Sequence, residues 1–274
     1  MAKKELKEMS FLDHLEELRW ILVRSSAAVV IMAILSYFFA DYIFNELIFG
    51  PTDPNFFTYR FFCNASHYLG FADSICITEL NFIIQNTEME GQVNIFVWVC
   101  ITAGFILAFP YILWQFWQFI SPALYENERK HAKLFIFTAS ILFFLGVLFG
   151  YFVIVPMSVN FLATFSISSV VKNQFSIDSY VSMIKTAVIA SGLFFELPII
   201  IYFLTKLGLV TPTFLRTYRK YAIVIVLIIA AIVTPPDVVS QTTVAIPMLL
   251  IYEASIFISA FVFKNRLKQE QQKG

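Results

Sequence analysis

Four acidic positions stand where a carboxylate is costly or conspicuous, and they carry most of the chemistry this sequence offers. Glu196 lies near the middle of an apolar run, 181–204, where an acid facing hydrocarbon costs roughly 2.5–3.5 kcal/mol on insertion scales. A side chain that costly should face a protein interior or a wet groove. Glu253 is a second acid inside an apolar run. Glu17 sits at the mouth of the first such run, on a segment with two faces. At 100° per residue, Phe11, Leu15, Leu18 and Leu22 share one face of a helix, and Asp13, Glu17, Trp20 and Arg24 cluster on the other. Ser10 with Asp13 three residues on reads as the start of that helix. Glu128, with Glu126, belongs to a short polar loop that also holds Arg129 and Lys130. Acids so placed bind cations or carry protons. The plainer readings are a solvated helix face for Glu17 and a surface ion pair for Glu128, worth about 0–1 kcal/mol.

The other reactive residues are few. Cys63 and Cys76 fall in one long loop, and on the side of a membrane where disulfides persist they could close it. The alternative is two reduced thiols. Cys100 lies inside an apolar run and reads as core. The three histidines, at positions 14, 67 and 131, belong to separate segments, so no metal site is expected. His-Glu-x-x-His, Gly-x-Ser-x-Gly, Gly-x-x-x-x-Gly-Lys and Cys-x-x-Cys are all missing from the sequence. The expectation is a protein without catalytic residues or a cofactor.

The elements that position these residues are set by apolarity. Of 274 residues 59% are hydrophobic and 14% charged, against about 25% charged in soluble domains. That is too little charge to cover a water-exposed surface, and 32 Phe and 12 Tyr suit rings facing lipid and headgroups. Zero net charge gives no reason to expect a nucleic-acid partner. With about 20 apolar residues needed per crossing, the candidate spans are 20–40, 93–120, 132–155, 181–204, 221–234 and 239–263. The fold class expected is therefore all-α and integral to the membrane, one polytopic domain over 1–274 with six transmembrane helices. Pro122 and Pro156 should end the second and third spans, and Pro110, Pro198 and Pro247 should kink the spans that contain them.

Orientation follows from Lys and Arg. An N-terminus in the cytosol puts sixteen of the nineteen basic residues on the cytosolic side, leaving Arg60, Lys172 and Lys185 opposite. Both termini are then cytosolic. The polar start, residues 1–18, lacks the pattern of a removable signal peptide. The fifth span is short: from Lys220 to Asp237 is about 25 Å of helix, against about 30 Å of hydrocarbon. The loop from Asp41 to Gln92, with its Gly50-Pro51 and Asp53-Pro54 turns and the aromatics Phe56, Phe57, Tyr59, Phe61 and Phe62, should pack on itself and cap the bundle.

Four stretches, in order, resemble one family. Ser10-Phe11-Leu12-Asp13-His14-Leu15-Glu16-Glu17-Leu18-Arg19 resembles the N-terminal signature of TatC proteins, the largest subunit of the twin-arginine translocase. Phe119-Ile120-Ser121-Pro122-Ala123-Leu124-Tyr125 with Glu128-Arg129 resembles their first cytosolic loop, and Phe194-Phe195-Glu196-Leu197-Pro198 their fourth span. Thr234-Pro235-Pro236-Asp237 with Ser240-Gln241 and Ala245-Ile246-Pro247-Met248 resembles the fifth loop and sixth span.

The resemblance implies a non-enzymatic receptor in the cytoplasmic (inner) membrane. Such a receptor binds the Arg-Arg pair in signal peptides of folded cargo, which is exported at the expense of the proton-motive force. Glu17 and Glu128 match the family's signal-binding acids, and Arg19 the adjacent basic position. Two carboxylates suit two guanidinium groups, whose fork Lys cannot copy. Glu196 matches an acid on the concave, groove-forming face. Thr234 and Gln241 match positions near which single-span TatA/TatB-type partners dock, within a multimeric assembly. The first outer loop, with its Cys pair, looks longer than the family's usual loop. A proton-coupled small-molecule transporter using Glu196 is the alternative; it is disfavoured by the absence of repeated halves and by two cytosolic acidic sites it does not need.

Overall fold

The computed structural model describes residues 11–68, 76, 80, 82–120, 132–168, 170, 172–235 and 237–271. They form two compact units, one from the described parts of 1–40 and 97–140, the other from 41–96 and 141–274.

In the first unit, α1 (Phe11–Phe38) is one continuous helix, with neither Pro nor Gly to interrupt it. It meets the part of α4 (Gly91–Ile120) that belongs to this unit at Gly104, where a Cβ would lie 2.6 Å from the Ala33 nitrogen. Helices in a membrane associate by such close approach, since lipid gives no hydrophobic drive between them. Pro110 lies inside α4 without ending it. Trp117 packs on Phe135 of α5 (Ala132–Phe149), ring centroids 4.7 Å apart.

The second unit starts with a short α2 (Ala40–Tyr42), a π-helical turn (Ile43–Ile48) and α3 (Phe57–Tyr68). Pro156 does not end the third span as expected. The helix passes through a second π turn (Gly150–Ile154) into α6 (Val155–Thr164), with Pro156 wholly buried near its start. Proline displaces the carbonyl four residues back; that carbonyl, of Phe152, accepts instead from the Thr58 hydroxyl at 2.7 Å. The neighbour's hydroxyl thus satisfies what the proline frees, and it docks the first loop as it does so. Around this point Phe56 packs on Tyr59, Tyr151 and Phe152. Tyr59 donates to the Pro51 carbonyl at 2.9 Å, and its burial raises the phenol pKa well above the usual value.

The all-α expectation needs one amendment. β1 (Ile83–Gln85) and β2 (Gln174–Ser176) pair in parallel, Ile83 opposite Gln174 and Gln85 opposite Ser176. Three-residue strands carry no periodicity to find in a sequence.

The fourth span is two helices, α7 (Ile177–Phe194) and α8 (Leu197–Lys206), broken at Phe195–Glu196 just before Pro198. At Gly146 α5 approaches α7 so closely that a Cβ would lie 2.6 Å from the Ser191 carbonyl oxygen. After α9 (Pro212–Thr217), α10 (Arg219–Val233) has 15 residues, about 22 Å of helix. α11 (Val238–Gln271) is the longest helix and contains Pro247 without a break. α8 and α11 are pinned by a buried Thr205–Ser259 hydroxyl pair at 2.8 Å and by a core of Ile201, Leu215, Tyr252 and Ile256. Five helices among the described residues are long and apolar enough to cross a membrane: Leu15–Phe38, Gly91–Phe119, Lys133–Thr164, Ile177–Lys206 and Ser240–Arg266. α10, over the expected fifth span, falls short of that length.

Candidate functional site

α1 carries Glu17, Trp20, Ile21 and Arg24 three, four and seven residues apart, so one helical face presents all four. With Gln118 of α4 they line a cavity of about 330 Å³. Glu17 is half-buried, and its Oε2 is shielded from solvent with no hydrogen-bond partner among the described residues. A shielded carboxylate oxygen left unmatched costs about 1–3 kcal/mol or more, which a cationic donor entering the cavity would recover. Trp20 lines the same cavity, and an indole ring attracts cations.

The structure does not bring every expected residue into this cavity. Arg19 is exposed and, two residues from Glu17, points from a different side of the helix. Glu128 lies outside the described residues, as do Ser10, Pro122 and the rest of 121–131. Sequence reasoning missed Gln118; no local signal marks it, because only the pairing of α4 with α1 places it there.

Glu196 occupies the break between α7 and α8, 6% exposed. Its carbonyl accepts from the Ile199 and Ile200 amides, both at 3.0 Å. The side-chain Oε1 is buried with no partner among the described residues. Phe195 beside it packs on Phe149, centroids 5.5 Å apart.

Thr234 and Gln241 are engaged within the chain. The Thr234 hydroxyl donates to the Ala230 carbonyl at 2.8 Å, and the Gln241 amide donates to the Leu227 carbonyl at 3.2 Å. Both bonds hold the turn between α10 and α11, and Asp237 caps α11 by accepting from the Ser240 amide. Thr234 also lines a cavity of about 500 Å³ with Asp178, Ser182 and Phe175, which the sequence did not suggest. Glu253 pairs with Arg219, a partner equally unforeseen. Cys63 and Cys76 are joined by a disulfide with Cα atoms 4.6 Å apart.

These features define a multi-pass, mostly helical membrane protein with a half-buried acid lining a cavity in its first unit. Residues 13–247 match the family described as Sec-independent protein translocase protein (TatC). The Sec-independent protein translocase protein TatC of Blattabacterium sp. subsp. Periplaneta americana (strain BPLAN) is 43% identical over 270 residues, 96% of this chain and 100% of that one. That of Aquifex aeolicus (strain VF5) is 36% identical over 97% of this chain and 100% of its own. A crystal structure of the twin arginine translocase receptor TatC superposes with a TM-score of 0.70 at 34% identity, covering 91% of this chain and 99% of that one. The chain belongs to the TatC family, a family of translocase subunits and not of enzymes. That membership displaces the small-molecule transporter alternative.

Proposed function

We propose that this chain is the signal-peptide receptor of a twin-arginine translocase, and that Glu17 receives one guanidinium of the Arg-Arg pair. The observation that carries this reading is the shielded, unmatched Glu17 oxygen in a cavity sized for a side chain. Glu128 supplies the second carboxylate and Arg19 borders the site. Glu196 contributes a polar point on the groove along which the signal inserts, and single-span TatA/TatB-type partners dock near Thr234 and Gln241. The chain sits in the cytoplasmic membrane with α10 as a short fifth of six spans and both termini cytosolic. It works in a multimeric assembly, and the proton-motive force drives export.

A photoreactive amino acid in place of Gln118 tests the reading. A twin-arginine signal peptide should crosslink there, and a twin-lysine peptide should do so much more weakly. Equal crosslinking of both peptides would remove guanidinium recognition from this cavity.

A further inference from the structure

Among the described residues, Cys63, His67 and Cys76 are the one cluster of three metal-ligating side chains. Cys63 and His67 lie four residues apart on α3, one above the other on a single face. Cys76 reaches them from the segment that follows. One ligand atom from each lies within 4.8 Å of the other two, and His67 Nε2 is 3.5 Å from Cys76 Sγ. The cysteines are half-buried and His67 is exposed, so solutes reach the cluster. While the disulfide stands, the sulfur atoms are spent on each other.

We infer that reduction of Cys63–Cys76 converts this cluster into a three-ligand site for a thiophilic d10 cation, Cu(I) or Zn(II). The reductant required is a dithiol. Its thiolate attacks one sulfur, its second thiol closes onto the mixed disulfide, and the dithiol leaves oxidised, with Cys63 and Cys76 each holding a proton. The cation then displaces those two protons, and the neutral His67 imidazole supplies the third electron pair.

The donor set favours soft ions. Two thiolates and an imidazole complete a trigonal Cu(I) site, and a Zn(II) site needs only a water besides. A sulfur and a nitrogen on one tetrahedral zinc are separated by roughly 3.5 Å given their usual bond lengths, which is the separation His67 and Cys76 already have. The two sulfurs must part to roughly 3.8 Å, a change that rotation about their Cα–Cβ bonds supplies.

The test uses the full chain with Cys100→Ser, which removes the remaining thiol. The protein is reduced with a dithiol, desalted anaerobically and titrated with Cu(I) or Zn(II) against a chromophoric chelator. One equivalent of cation should bind per reduced chain and none to the oxidised chain. His67→Ala, which keeps the bridge and hence the fold, should weaken binding at least about tenfold. With the cation at a hundred times its dissociation constant, the reduction potential of the pair should rise by about 59 mV in the wild type, and by much less with His67→Ala. Retention of either ion in this pattern supports the site. The inference is overturned if reduced and oxidised chains bind alike, or if His67→Ala binds as tightly as the wild type.

Discussion

Glu253 on α11 and Glu17 on α1 are both acids on helices built mainly of apolar residues, yet the fold treats them differently. Arg219 holds Glu253 through a fork, Nε to Oε1 at 2.7 Å and the second guanidinium nitrogen to Oε2 at 2.8 Å. Glu17 keeps a shielded oxygen that nothing described in the chain matches. The first arrangement is complete in itself and joins α10 to α11. The second leaves the corresponding oxygen without such a partner among the described residues. Ser25, Gln115 and Ser158 also bury an unmatched oxygen, but they are neutral; of the five such residues among those described, Glu17 and Glu196 are the acids. The difference separates an acid matched within the fold from acids left unmatched among the described residues.

The comparison breaks if removing a self-satisfied group spares stability, or if trimming an unmatched acid to an uncharged side chain costs it. The largest stability effect belongs to the bridged loop. Replacing Cys63 and Cys76 by Ser should cost about 3 kcal/mol for a loop of this length. It is read as a lower thermal midpoint in non-reducing detergent, and an unchanged midpoint would mean that the bridge does not form in the membrane. Glu196→Lys comes next, since an unpaired Lys within a span costs roughly 2.5–3.5 kcal/mol and export should fail. Glu196→Gln keeps a head of the same shape and should export better than Lys or Ala in a cargo-export assay. Gln as poor as Lys would show that the negative charge itself is required. Smaller still is Arg219→Gln, which should lower stability by about 1 kcal/mol or less because the pair is partly exposed, and leave signal binding unchanged. Thr205→Val, which removes the bond to Ser259, should cost about 0.6 kcal/mol.

Much of this was legible in the sequence, and the limits have physical causes. Long apolar runs announce helices because a membrane admits little else, so α1, α4 and α11 lie close to where the runs put them. Pro156 misled because a proline ends a helix only if its freed carbonyl goes unsatisfied. The satisfying hydroxyl, Thr58, is 94 residues away from Phe152 in sequence. Glu196 stood out by its cost alone, although its place at the break between α7 and α8 depends on Pro198 two residues on. Gln118 beside Glu17, and Arg219 beside Glu253, are products of helix pairing and leave no local trace. The Cys63–His67 spacing was a readable helical signal, obscured by counting histidines only against one another.

The central claim is that Glu17 is an acid kept for an arginine of the signal. Its most direct test is the affinity of a twin-arginine signal peptide for the purified chain, measured side by side for wild type, Glu17→Ala, Glu128→Ala and Arg219→Gln at matched folding. Loss of one charge-assisted bond of roughly 1.5–3 kcal/mol should weaken binding about ten- to a hundred-fold for each Glu variant. Arg219→Gln should bind as wild type, and Glu17→Asp should lie between. If Glu17→Ala binds the peptide as tightly as wild type, Glu17 is a solvated helix face and the account is wrong.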